Sequence, residues 1–199
     1  NAALEYINGK YILFSNPDII YKENSIKKLF DFMESNINAA CAGPVIKRTD
    51  GSIQYYYTFF PSLYSRFLQE FGRYEKADFM KKRMVNFLND NIKLNKPFNV
   101  EWVLGACMLI PAVLFKKLSG FDDSFFLYEE EVDLLFRAKQ LKYNTYIVPE
   151  SEVIHNHNTS TSKVGFAFIR YHGFRSLVIY SNKHNRGLKK LLSKLMLTL

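Results

Sequence analysis

Cysteine is scarce in this chain. Cys41 and Cys107 are the only two in 199 residues, each inside an apolar run, and no C-x-x-C spacing exists. That argues against a structural zinc site and for two buried free thiols in a reducing cytoplasm. No apolar run reaches about 18 residues, so no transmembrane helix is expected within these residues. No segment reads as a signal peptide, and there is neither an internal repeat nor a low-complexity tract. Disorder is excluded by composition: 48% of residues are hydrophobic and 23% charged, an ordinary globular balance. The length suits one sizeable domain, with or without a small appendage.

Aromatic residues are plentiful, at 16%, with 13 Tyr and 18 Phe against a single Trp. Such a supply serves a packed core, and also a site that stacks on rings or sugar faces. The net charge is +8. This gives a solvated basic surface, or attraction to anionic lipid, nucleic acid or a phosphorylated substrate. Charge alone does not choose among them.

Along the chain, Lys10 to Ser15 reads as a buried strand ended by the turn signal Asn16-Pro17-Asp18. Asn24 or Ser25 starts a helix to about Ser35, with Ile26, Leu29, Phe30 and Met33 on one face. Ala39 to Ile46 is a short strand interrupted by Gly43-Pro44. Residues 61–98 are basic, aromatic and helical in pattern, an insertion over the core. Val100 to Ile110 is apolar around Gly105. Pro111 opens a helix through Leu118, and a second helix runs from Glu129 to Leu141 with Val132, Leu135, Phe136 and Ala138 inward. Tyr143 to Ile154 is extended around Pro149. From Val164 the chain is helical and basic. Strands alternating with helices predict an α/β domain with a largely parallel sheet. Ligands of such sheets sit at the carboxyl ends of strands, where Asn16-Pro17-Asp18 falls.

Three places carry chemistry-bearing side chains. Asp18 directly follows a strand, where a carboxylate, helped by substrate phosphates, can hold Mg²⁺ or Mn²⁺; the same tripeptide also serves as a plain turn. Glu129-Glu130-Glu131-Val132-Asp133 packs four acids into five residues. At a helix start these complement the macrodipole. Crowded beside aromatics, they also repel one another and raise one pKa toward general-base use. Glu130 and Asp133 share a helix face while Glu131 points elsewhere, so one acid can face a substrate while others pair with bases. His155 and His157 lie in a polar loop before an Asn-Thr-Ser-Thr-Ser run rich in donors for phosphate oxygens.

These pieces fall in an order that resembles family 2 glycosyltransferases, especially the bacterial rhamnosyltransferase-like members. Gly9 to Asp18 resembles the strand ending in the family's D-x-D-type metal motif, written N-P-D in many members. Trp102 to Ile110 looks like its glycine-bearing segment before a helix. Gly120 to Phe126 resembles G-F-D-E-x-F-F, and Tyr128 to Leu134 resembles Y-x-E-D-V-D-L. His155 through Ser160 resembles the H-x-x-x-x-S element that closes over the diphosphate, and Arg170, Tyr171, His172 and Arg175 resemble the helix that follows.

The resemblance implies a GT-A-like, Rossmann-related mixed sheet flanked by helices, spanning residues 1–163, with a helical segment at 164–199. The βαβ unit that holds the nucleotide base in the family is expected upstream of Asn1. The implied reaction is inverting transfer of a sugar from a nucleotide diphosphate sugar to an acceptor hydroxyl, in bacterial cell-surface polysaccharide synthesis. The implied cofactor is a divalent metal, Mn²⁺ or Mg²⁺, on Asp18 and His155. Asn16, Asp18, Ser160 and Arg175 take the donor; Trp102, Gly105, Tyr128 and Glu130 take a saccharide or lipid-linked saccharide acceptor. Phe125, Phe126 and Tyr128 join Trp102 in an apolar acceptor wall, or else pack in the core. The catalytic base is Glu131, which stands where the family usually has Asp, with Glu130 as the other candidate. Rhamnose from a deoxythymidine diphosphate carrier is the donor suggested by resemblance alone.

The tail from Arg186 to Leu199 places Leu188, Leu191, Leu192, Leu195 and Leu199 on one stripe among lysines. This suits an anionic membrane surface, a docked helix, or a second subunit in a homo-oligomer. A cytoplasmic enzyme, peripheral on the inner membrane, is the expected setting. Two other readings are a catalytically impaired scaffold or binding protein of the same fold, and a nucleic-acid-binding module. The latter lacks any reading motif and has dispersed basic residues, so nucleic acid is not expected as a partner.

Overall fold

The computed structural model describes residues 1–56, 58–61, 74–156 and 165–185. The strands are β1 (Tyr11–Ser15), β2 (Ile19–Tyr21), β3 (Ala39–Lys47), β4 (Phe98–Val100), β5 (Cys107–Pro111) and β6 (Asn144–His155). The helices are α1 (Ser25–Ser35), α2 (Tyr74–Lys93), α3 (Ala112–Lys117), α4 (Glu130–Gln140) and α5 (Phe166–His184).

The sheet has six strands in the order β1-β5-β3-β6-β2, with β4 also on β6. The free edge of β6 is shared: β4 pairs with its first half, Phe98 opposite Ile147, and β2 with its end, Ile19 opposite His155. Among the described residues only β3 and β6 pair in parallel; the pairs β1–β5, β3–β5, β2–β6 and β4–β6 are antiparallel. The largely parallel sheet expected from strand–helix alternation is therefore corrected, while the mixed sheet that the resemblance implied is the one present. Alternation permits crossovers, but it does not require that each strand land beside one running the same way. The short β2 was also missed, because the Asn-Pro-Asp turn was read as the end of an element rather than as a corner.

Central β3 is apolar along nearly its whole length and buried except at Lys47, as a strand covered on both faces must be. On one face α1 seals a cluster of Leu29, Met33, Ala39, Ala42, Leu109 and Val148. Burying Leu29 and Met33 contributes roughly 2 kcal/mol each. The rest of the expected α1 face is not inward: Ile26 and Phe30 remain over two-fifths exposed, at 42% and 43%. The larger cluster on the other face takes Met84 and Leu88 from α2, Phe115 from α3 and Leu134 and Leu135 from α4. The segment read as an insertion thus supplies core residues. Both cysteines are buried and free, and burial pushes the Cys107 thiol up to about 11, which keeps it unreactive.

Pairing directions fix where a site can form. Strands β1, β3 and β6 run one way, so their carboxyl ends share a rim with the starts of β2 and β5. The Asn16–Asp18 corner is pinned there: Asn16 N–H donates to Ala106 O at 2.8 Å and Asn156 N–H to Asp18 O at 2.9 Å.

Tight packing behind the rim is testable at Gly43 on β3. A Cβ there would lie 2.9 Å from Val103 Cγ1. Gly43→Ala is expected to destabilise the fold by about 1–3 kcal/mol through overpacking, measured by urea unfolding. Adding Val103→Ala should recover part of that loss. A Gly43→Ala protein as stable as the parent would contradict this packing.

Candidate functional site

Two cavities open at the rim. The first, of about 680 Å³, is lined by Asn16, Asp18, His155, Gly105, Glu130 and Glu131 among others. The second, of about 630 Å³, lies between the head of α4 and α5 and is lined by Trp102, Tyr128 and Glu131 among others. Leu104, Tyr128 and Glu131 border both.

In the first cavity Asp18 and His155 meet. His155 Nε2 lies 3.2 Å from Asp18 Oδ1, and the two side chains are 5% and 9% exposed. His155 Nδ1 is 3.0 Å from Gln54 Oε1. An Nδ1–H donated to that amide oxygen leaves Nε2 as a lone pair facing the Asp18 carboxylate. A hard oxygen and an imidazole nitrogen side by side fit a divalent ion that takes its other ligands from substrate phosphates and water. Among the described residues no group of three or more His, Cys, Asp and Glu side chains forms a protein-only cage.

Glu131 sits in the first turn of α4 and is 7% exposed. Gly105 N–H donates to its Oε1 at 3.3 Å, and a Cβ on residue 105 would lie in van der Waals contact with that oxygen at 3.4 Å. The other oxygens of Glu130 and Glu131, Oε2 in each, are buried without a hydrogen-bond partner among the described residues. Burial, then the neighbouring charge of Glu130, raises the Glu131 carboxyl to about 8. Burial also raises Glu130. The acid crowding expected from the sequence therefore falls hardest on Glu131.

Asp133 behaves in the opposite way. It is fully buried, and burial alone would raise its pKa. Contacts with His184, Lys183 and Arg137 outweigh that and hold it below the ordinary carboxylate range. His184 Nε2 and Lys183 Nζ lie 2.7 and 2.8 Å from Oδ1, and Arg137 Nε 2.7 Å from Oδ2. Arg137 also donates to the carbonyls of Leu118 and Gly120. Lys183 reaches Asp122, whose carboxylate is held low by Lys183 and then by Ser124. This network ties α4, α5 and the 120–126 loop together. Sequence reading gave Asp122, Lys183, His184 and Gln54 no role of their own, and foresaw for the run containing Asp133 only that some of its acids would pair with bases. Only the Asp133–Arg137 spacing signalled the network.

The remaining predicted site residues divide. Trp102 lines only the second cavity, with its Nε1–H donating to Phe59 O at 2.9 Å. Arg175 is exposed on α5 and lines neither cavity. Phe125 is core, packed with Val132 and Tyr180. Phe126 is 64% exposed and meets the His172 ring at 4.6 Å. His157, Ser160 and the Arg186–Leu199 tail lie outside the described residues. No helix among the described residues is long and apolar enough to cross a membrane.

Removing the Asp133 carboxylate takes away the acceptor shared by Arg137, Lys183 and His184. Asp133→Ala is expected to cost about 3 kcal/mol in urea unfolding, with faster amide exchange along α5. Unchanged stability and exchange would contradict this clamp.

Comparison with known proteins agrees with this layout. The family model described as glycosyl transferase family 2 matches residues 1–133. An N-acetylglucosaminyl-diphospho-decaprenol L-rhamnosyltransferase of Mycobacterium tuberculosis is 25% identical over 176 residues, covering 88% of this chain and 56% of that protein. Rhamnosyltransferase WbbL of Escherichia coli is 28% identical over 184 residues, covering 86% and 64%. The chain thus spans a little over half the length of these relatives. The solved structure of GalNAc-T7 with UDP, GalNAc and Mn²⁺ superposes with a TM-score of 0.52 at 12% identity, covering 78% of this chain and 29% of that one. That likeness concerns the fold, a GT-A glycosyltransferase sheet flanked by helices. With two-thirds of its length matched, this chain belongs to glycosyl transferase family 2.

Proposed function

We propose that the protein transfers a sugar from a nucleotide diphosphate sugar to an acceptor hydroxyl, with inversion. The observation that carries this reading is the place of Glu131. Its carboxyl borders both cavities, while the Asp18–His155 pair lines only the first. A base placed between a donor site and an acceptor site is what a single displacement requires.

On this reading Asp18 and His155 hold a divalent ion, and Asn16 lies beside the donor. Ser160 and Arg175 stay as donor-side candidates from the motif resemblance. A divalent ion bound there supplies compensation for charge gathering on the departing diphosphate. The acceptor enters from the second cavity beside Trp102 and Tyr128, with Gly105 and Glu130 flanking it from the first. Glu131 takes the proton of the acceptor hydroxyl. That oxygen bonds to the anomeric carbon as the bond from carbon to the diphosphate oxygen breaks on the opposite face. The sugar passes through an oxocarbenium-like state.

Glu131 is a better base than Glu130 on two grounds. It alone of the two reaches the second cavity, and Gly105 holds its Oε1. The relatives' names supply the setting. One acts on an N-acetylglucosaminyl-diphospho-decaprenol, which supports a lipid-linked saccharide as acceptor and work at a membrane surface.

The test is calorimetry of nucleoside diphosphates with Mn²⁺ on the protein at its full natural length, followed by turnover. Asp18→Ala should abolish metal-dependent binding. Glu131→Gln should keep it while lowering turnover about a thousandfold. A base works only when deprotonated, so kcat/KM should rise with pH through about 8, following the raised Glu131 carboxyl. Full turnover in Glu131→Gln would sink the base assignment. Binding indifferent to Mn²⁺ and to Asp18→Ala would sink the donor site.

A further inference from the structure

Just past β3 the chain turns back on itself. Lys47 faces Ile154 of β6 on one edge and Ile53 of the returning segment on the other. Arg48 N–H donates to Ser52 O at 2.8 Å, and the Asp50 carboxylate accepts from Ser52 N–H at 2.9 Å. Gly51 takes the left-handed φ of 82° that so tight a reversal needs. Gln54 N–H then donates to Ile46 O at 2.8 Å, and the Tyr55 hydroxyl to Asn89 Oδ1 of α2 at 2.7 Å. The chain is thus anchored at Gln54 and beside it, and Gln54 lines the first cavity.

That reversal sets the His155 ring between two oxygen acceptors. Gln54 Oε1 lies 3.0 Å from Nδ1, and Asp18 Oδ1 lies 3.2 Å from Nε2. A neutral imidazole has one N–H and one lone pair. Satisfying either acceptor therefore turns a lone pair toward the other. The His155 and Asp18 side chains are both more than nine-tenths buried, where facing acceptors are costly. With the proton on Nε2, His155 donates to Asp18 and the pair closes on itself. With the proton on Nδ1, His155 donates to Gln54, and Nε2 and Asp18 face each other as two ligands for a cation. The place of one proton decides between a closed hydrogen bond and a cation site.

Resting on the donor-site reading above, we infer that Gln54 is the positioning residue of the divalent-ion site. Its amide oxygen keeps the His155 proton on Nδ1 and so reserves Nε2 for the ion. A partner on the far nitrogen of a ligating imidazole fixes both its tautomer and its ring orientation. Gln54 touches neither the ion nor the substrate on this reading; it acts through His155. As a neutral group it sets the tautomer without adding charge to the site. Among the described residues no third His, Cys, Asp or Glu completes a metal-holding group, so the correct tautomer of His155 carries much of the affinity.

The test is ¹⁵N NMR of the histidine rings in metal-free protein at full natural length, with His155→Asn identifying the lines of His155. The two nitrogens of a neutral imidazole resonate far apart, so a spectrum in alkaline buffer shows which one is protonated. The parent is expected to show Nδ1–H. Gln54→Met keeps the length of the side chain and loses the amide, and should show Nε2–H. Gln54→Glu restores an acceptor oxygen and should return the proton to Nδ1. Calorimetry of Mn²⁺ with uridine or deoxythymidine diphosphate gives the second readout. Affinity should fall about 10- to 100-fold in Gln54→Met and regain at least the parent value in Gln54→Glu. Nε2–H in the parent would overturn the inference, and so would a tautomer or a Mn²⁺ affinity that Gln54→Met leaves unchanged. A merely structural glutamine would lower the urea unfolding midpoint in both variants and leave the tautomer in place. Failure of the donor reading is distinguishable, since it removes Mn²⁺-dependent nucleoside diphosphate binding from the parent and leaves the Nδ1–H line intact.

Discussion

Two neighbouring carboxyl groups buried at the head of one helix are the constraint on which the rest of the site depends. Glu130 and Glu131 open α4, where the helix dipole and the Gly105 N–H both favour negative charge. Burial and mutual repulsion win, and the Glu131 carboxyl rises from 4.5 to about 8. The sign follows from linkage. The unfolded chain loses this proton near pH 4.5 and the folded chain only near 8, so stability is lost as pH rises across that window. The fold therefore keeps a carboxyl that disfavours it at neutral pH. Such a cost is accepted where a base is poised for proton transfer.

What holds that arrangement in place is the next acid in the same run. Asp133 is as buried as its neighbours, yet it gathers Arg137, Lys183 and His184. Two acids three residues apart thus have opposite fates, decided by whether cations reach them. Asp133 fixes α4 against α5, and Lys183 extends the tie to Asp122. The left-handed turn at Tyr128 and Glu129 is enclosed between these anchored elements, which is how a strained turn persists. Both walls of the second cavity follow from it.

Legibility in the sequence tracked distance along the chain. Asp18, Glu130 and Glu131 could be found because each lies in a short run whose order is itself informative. The meeting of His155 with Asp18 across a wide sequence gap came only through resemblance, and the β2–β6 pairing is what brings it about. The Asp133–Lys183–His184 clamp spans about fifty residues, so the sequence showed only that some acid of the run would pair with bases, and not that the partners would come from α5. Strand direction was misjudged because alternation of elements does not encode which strands become neighbours. Exposure was misjudged for Ile26 and Phe30 because helical periodicity defines a stripe without saying how much of it the sheet covers. Gln54 carried no signal of its own, and only the fold sets it against His155.

The most direct test of the central claim is a titration of the Glu131 carboxyl itself. Glutamate labelled with ¹³C at Cδ, followed by NMR in ligand-free and metal-free protein, gives one titrating line that Glu131→Gln would remove. That line is expected to titrate near pH 8, in keeping with a carboxyl raised to about 8 by burial and by Glu130. A midpoint near the ordinary 4.5 would show a solvated carboxylate, and would contradict the picture of a buried base held between two cavities.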